Sequence, residues 1–80
     1  MEKKQNLLTL QLVLKEKLDE LEQKMLIPLP SKEVIDSINL LNKDIRDKIN
    51  FLERNQHSIS IEKRRYNRIL EDMNKNWPFN

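Results

Sequence analysis

The sequence has no glycine, no cysteine and no alanine. Without glycine, a phosphate-cradling loop or a two-residue hairpin turn has no cheap source of positive φ. Without cysteine, and with His57 as its single histidine, the chain can make no zinc finger, disulfide framework or thiol nucleophile. Aromatics are scarce: one Trp, one Tyr and two Phe. No apolar run approaches the roughly 20 residues that cross a bilayer as a helix. Eighty residues amount to one small domain, residues 1–80, too short for a cofactor domain beside a substrate domain. Dinucleotide-binding folds, P-loop enzymes, zinc modules and disulfide miniproteins are thereby excluded.

Charge and leucine are what is present. Charged residues make up 35% of the chain and hydrophobic ones 38%, a mix that suits a helical bundle because the apolar share recurs at regular spacing. A core of this size supplies only about 3–5 kcal/mol. With no disulfide or metal to add, association with a second copy or a partner is the remaining source of stability. Lys3 and Lys4 precede the apolar-rich stretch Leu7–Leu14, as in a secretory leader. Thr9 and Gln11 interrupt that stretch, Lys15, Glu16 and Lys17 follow it, and no small-residue cleavage site is near. The expectation is a soluble, cytoplasmic protein without membrane contact.

The periodicity predicts an all-α fold. Leu7, Leu10, Leu14, Leu18, Leu21 and Met25 recur at three- and four-residue steps, which predicts a first helix over about 3–26. Lys15–Asp19 and Glu20–Lys24 are placed to pair along its outer surface. Pro28 and Pro30 disfavour the α conformation at the residues before them, so 27–30 reads as an extended connector whose Ile27 and Leu29 look buried. Ser31 is a good N-cap for a second helix over about 31–55, with Glu33 in its first turn. Its stripe is Val34, Ile35, Ile38, Leu41, Ile45, Ile49 and Leu52. The polar break Asn55–Ser58 precedes a third, shorter helix over about 59–76, capped by Ser58 or Ser60, with Tyr66, Ile69, Leu70, Met73 and Trp77 on its apolar face. Pro78 ends it and leaves a tail over 77–80. The expected architecture is an antiparallel helical hairpin plus a third helix, a small bundle completed by self-association or a partner.

Several apolar residues lie off these stripes. Leu8, Leu12 and Val13 make the first half of helix 1 apolar on extra faces, and Leu40 and Phe51 sit on the back of helix 2. Helix 3 is expected to fold back over Leu8, Leu12 or Val13; otherwise another chain covers them. Trp77 and Phe79 flank Pro78 and serve either to close the bundle or to dock on a partner. These seven residues are the partner-binding candidates, recognised helix on helix or helix in groove. All the excess positive charge falls after residue 55, where five basic residues face three acidic ones. Lys63, Arg64, Arg65 and Arg68 form a basic cluster that would steer a partner or contact phosphates.

The remaining candidates have simpler explanations. Asn42 borders the helix 2 seam and is expected to touch water. Glu16, Asp19, Glu20, Asp44 and Asp47 lie off the stripes, and no Glu-x-x-His pair accompanies them, so they read as a solvated surface rather than a metal site. His57 beside Ser58 and Ser60 reads as loop and cap rather than nucleophile and base. The reading is a non-catalytic protein-interaction module, a regulator, inhibitor or assembly subunit, with no cofactor, metal or small-molecule substrate. A nucleic-acid-binding protein using the helix 3 cluster is the alternative.

Overall fold

The computed structural model describes the backbone of residues 2–76 and the side chains of residues 7–75. Three helices follow one another: α1 (Glu2–Met25), α2 (Lys32–Arg54) and α3 (Ser60–Asn76). There is no strand among the described residues. α1 packs mostly against α2 and less against α3, in a body measuring 45 × 21 × 15 Å. The all-α hairpin with a third helix is therefore present, and helix boundaries fall within a residue or so of those expected.

α1 and α2 run antiparallel, and their seam closes on Leu14, Leu18 and Leu21 from one side and Ile38, Leu41, Ile45, Ile49 and Leu52 from the other, all buried. α2 starts as its sequence dictates: the backbone N–H of Val34 donates to Ser31 Oγ at 3.3 Å, and Glu33 stands in the first turn, where a negative charge is favoured.

The connector departs from expectation. Ile27 and Pro28 are exposed and Leu29 is 96% exposed, not buried. Met25 and Val34 already close this end of the seam, so nothing is left for the connector to fill. With no glycine available, Leu29 itself takes the left-handed conformation, φ 55°, at a cost of about 1–2 kcal/mol.

The turn after α2 is a Schellman closure. Gln56 N–H donates to Glu53 O at 2.9 Å and His57 N–H to Leu52 O at 3.0 Å, with Gln56 at φ 57° in the position usually held by glycine. This tight reversal delivers Ile59, buried, into the core before α3 begins. Ser60 is then the first helical residue rather than its cap, and Ile59 occupies the cap position: burial of its side chain outweighs a hydroxyl cap.

α3 runs parallel to α1 in the groove between α1 and α2, with Tyr66 and Ile69 buried and Leu70 and Met73 packed against the same core. Its polar contacts reach both walls: Tyr66 and Lys63 bond α2, while Glu62 and Arg65 bond α1. This corrects the expected cover. Leu8 and Leu12 are each 61% exposed, because a helix seated in the groove buries its stripe on two sides, whereas one laid over the outside of α1 would bury it on one. Val13 is half-buried, but on the flank of α1 that carries Lys17, away from α3.

Candidate functional site

The residues singled out by the sequence do not converge on one place. They divide into a polar seam under α3, a dispersed basic set, and two exposed apolar patches.

The seam is built on Glu62, only 4% exposed and the single buried charged residue among the described ones. A buried carboxylate is tolerated when its oxygens are matched. Gln11 Nε2 donates to Glu62 Oε2 at 3.1 Å, and Lys15 Nζ stands 3.7 Å from the same oxygen. Because the Gln11 amide nitrogen is committed to Glu62, its Oε1 accepts from His57 Nε2 at 2.6 Å. Lys15 thus reaches across to α3 instead of pairing with Asp19 along its own helix. The sequence carried a signal for this. Ile59, Glu62, Tyr66, Ile69 and Met73 follow a heptad-like spacing, with one charge in the middle of the stripe. His57 is here a structural donor that ties the α2–α3 turn to α1. Asn42, expected in water, is half-buried and its Oδ1 accepts from the Tyr66 hydroxyl.

The four basic residues of α3 do not form one patch. Lys63 pairs with Glu53 of α2 at 2.6 Å on one side. Arg65 lies on the other side, where its Nη2 donates to both Asp19 and Glu22 of α1. The Arg65 guanidinium is held above its ordinary pKa, chiefly by the Glu22 hydrogen bond, then by Asp19, against the opposing effect of partial burial. Only Arg64 and Arg68 make no ion pair or hydrogen bond among the described residues.

The first apolar patch is on the flank of the hairpin away from α3. Leu40 is 70% exposed and Phe51 48% exposed. They lie three turns apart on one face of α2, with half-buried Val13 on the same flank of the hairpin. A shallow hollow of about 310 Å³ opens between Lys17, Glu20, Ser37, Leu40, Leu41 and Asp44. The charges along this flank are spent on one another: Asp44 pairs with Lys48 at 2.7 Å and stands 3.9 Å from Lys17, and Glu20 stands 4.0 Å from Lys24.

The second patch is Leu8 and Leu12 on α1 with Ile61 on α3, the last 75% exposed. Ile61 stands one turn before Arg65 on the edge of α3 that meets α1; one turn before Asp19, on α1, is Lys15, with Leu12 beside it. Ile61 went unremarked in the sequence because it lies off the apolar stripe of its own helix. An open groove of about 460 Å³ between the end of α1 and α3 combines apolar Met25, Leu26 and Ile69 with Glu22, Arg68 and Asp72. Trp77 and Phe79 lie outside the described residues.

Among the described residues no three His, Cys, Asp or Glu side chains gather as metal ligands, and no helix is long and apolar enough to cross a membrane. No protein-family model, curated protein or solved structure matches the chain.

Proposed function

We propose that this chain is a small non-catalytic protein-binding module, cytoplasmic in location, that presents the Leu40–Phe51 flank of its hairpin to an amphipathic helix of a partner protein. One observation carries the reading. Two large apolar side chains stay exposed on the same face of α2 while the core behind them is closed and the surrounding charges are already paired. A surface of that kind offers apolar area with only a small net charge, three lysines against two carboxylates. It suits a helix laid into the α1–α2 groove on the side that α3 leaves open, completing a four-helix arrangement. Regulator, inhibitor and assembly subunit are all roles such a contact serves.

Nucleic-acid binding has less support, since Lys63 and Arg65 are engaged with carboxylates and two cations remain. The two readings separate by position and by salt. A photo-crosslinking residue placed at Leu40 or Phe51 in the intact chain, expressed in cells, is expected to capture one protein that the same probe at Arg64 does not. Leu40→Asp should abolish binding of that partner, and raising salt from 0.05 to 0.5 M should change its affinity little. Crosslinks confined to Arg64 and Arg68, with affinity falling steeply in salt, would replace this reading with the nucleic-acid one.

A further inference from the structure

We infer that a second copy of this chain covers the Leu8–Leu12–Ile61 patch, with the two α1 helices crossing antiparallel about a two-fold axis near Leu10. The argument starts from a row of residues. Along an α-helix, positions four apart form a ridge, and ridges are what pack between helices. The ridge through the patch is Lys4, Leu8, Leu12, Glu16, all within α1. Read in either direction it is two leucines with a charge one turn beyond each, and the two charges are opposite. Set against a reversed copy of itself, the ridge places Leu8 beside Leu12 of the second copy and Lys4 at the level of its Glu16, and the symmetry repeats both contacts. A two-fold interface requires this self-complementarity, because each residue meets its partner twice.

Other observations favour the same occupant. Glu16 is exposed and makes no hydrogen bond or ion pair among the described residues, so its carboxylate is free for another chain. Its neighbours on α1 are differently placed: Lys15 is held by Glu62, and Asp19 and Glu22 by Arg65. Ile61 extends the apolar surface sideways, so that the crossing helix would rest on α1 and α3 together. The three side chains expose on the order of 300–400 Å² per copy, within the range of the largest apolar patch on a typical monomer, which is often functional. With the flanking ridge ends, the pair buries on the order of 1,000 Å² in total, at the low end of interface sizes, below about 1,200 Å², and forms a weak dimer.

The pairing goes beyond the partner-binding reading and does not depend on it, since Leu40 and Phe51 lie on the opposite flank. Light scattering and sedimentation equilibrium of the full chain, from about 5 µM to 1 mM in 0.05 M salt, test it. The expected result is a monomer–dimer equilibrium in which Leu12→Asp removes the dimer, while helicity by circular dichroism is unchanged because the site is exposed. Lys4→Glu and Glu16→Lys should each weaken the dimer about tenfold, since each change spoils two pairings of surface strength. The double variant K4E/E16K should restore it, because exchanging the charges preserves an antiparallel complement. A wild-type chain monomeric at 1 mM overturns the proposal. So does a dimer indifferent to Leu12→Asp. Single charge variants without effect point instead to parallel pairing, where each charge would meet its own kind, and equally overturn the proposed geometry. None of these outcomes bears on capture of a partner at Leu40.

Discussion

Gln56 shows what the absence of glycine costs at a single position. Its φ of 57° is required by the closure that turns the chain from α2 toward Ile59, and a residue with a Cβ holds it. Glycine there meets no steric penalty in the left-handed conformation, though its unfolded chain is freer. Gln56→Gly should therefore stabilise the fold by about 0.5–1 kcal/mol, read as a rise in the urea midpoint without a change in slope. Gln56→Val should lower it, because a β-branched side chain is least tolerant of positive φ. The Gln11, His57 and Glu62 chain is a second device at this scale. Glu62→Leu is expected to leave Gln11 without its acceptor and Lys15 without its charge partner. Glu62→Gln retains the hydrogen bond from Gln11 and should cost less. The sequence announced Glu62 only through its place in the middle of an apolar stripe; its partners are 51 and 47 residues away, where no local pattern reaches.

At the scale of elements, α3 is held by two kinds of contact that respond differently to salt. Arg65 bridges to Asp19 and Glu22 at the surface, and such pairs are each worth about 0–1 kcal/mol and are screened by ions. The Tyr66 hydroxyl bonds Asn42 beneath the helix and is worth about 1 kcal/mol at any ionic strength. Native-state hydrogen exchange should resolve them. In Arg65→Gln, the α3 amides should exchange faster at 0.05 M salt and much less so at 0.5 M. In Tyr66→Phe, the acceleration should persist at both. The outlines of the three helices were legible because apolar spacing, Ser31 and the two prolines are local signals. The side of the hairpin on which α3 settles was not, because it depends on Arg65, Tyr66 and Lys63 meeting residues of the other helices. The same pairings turned a run of neighbouring cations into three ion pairs on two flanks, Lys63 with Glu53 and Arg65 with Asp19 and Glu22, and left Arg64 and Arg68 without one among the described residues.

Over the whole molecule, one thin core serves three helices, and α1 is the element both others share. Leu18 lies on the α1 face between α2 and α3 and is fully buried. Truncating such a leucine costs about 2–5 kcal/mol through lost transfer energy and the cavity left behind, and the total stability of a domain this size is only about 3–5 kcal/mol. The two quantities are comparable, so Leu18→Ala should leave a large fraction of the chain unfolded at 25 °C, with α-helical circular dichroism reduced and no pre-transition plateau in urea. Leu40→Ala removes the same atoms from a side chain that is mostly in water, and alanine favours the helix slightly more than leucine does. Its urea midpoint should match wild type or exceed it at concentrations where the chain is monomeric. The contrast separates leucines that hold the fold from leucines that stand exposed on its surface. A Leu40→Ala chain as unstable as Leu18→Ala would place Leu40 in the core and remove the apolar flank on which the proposal of partner binding rests.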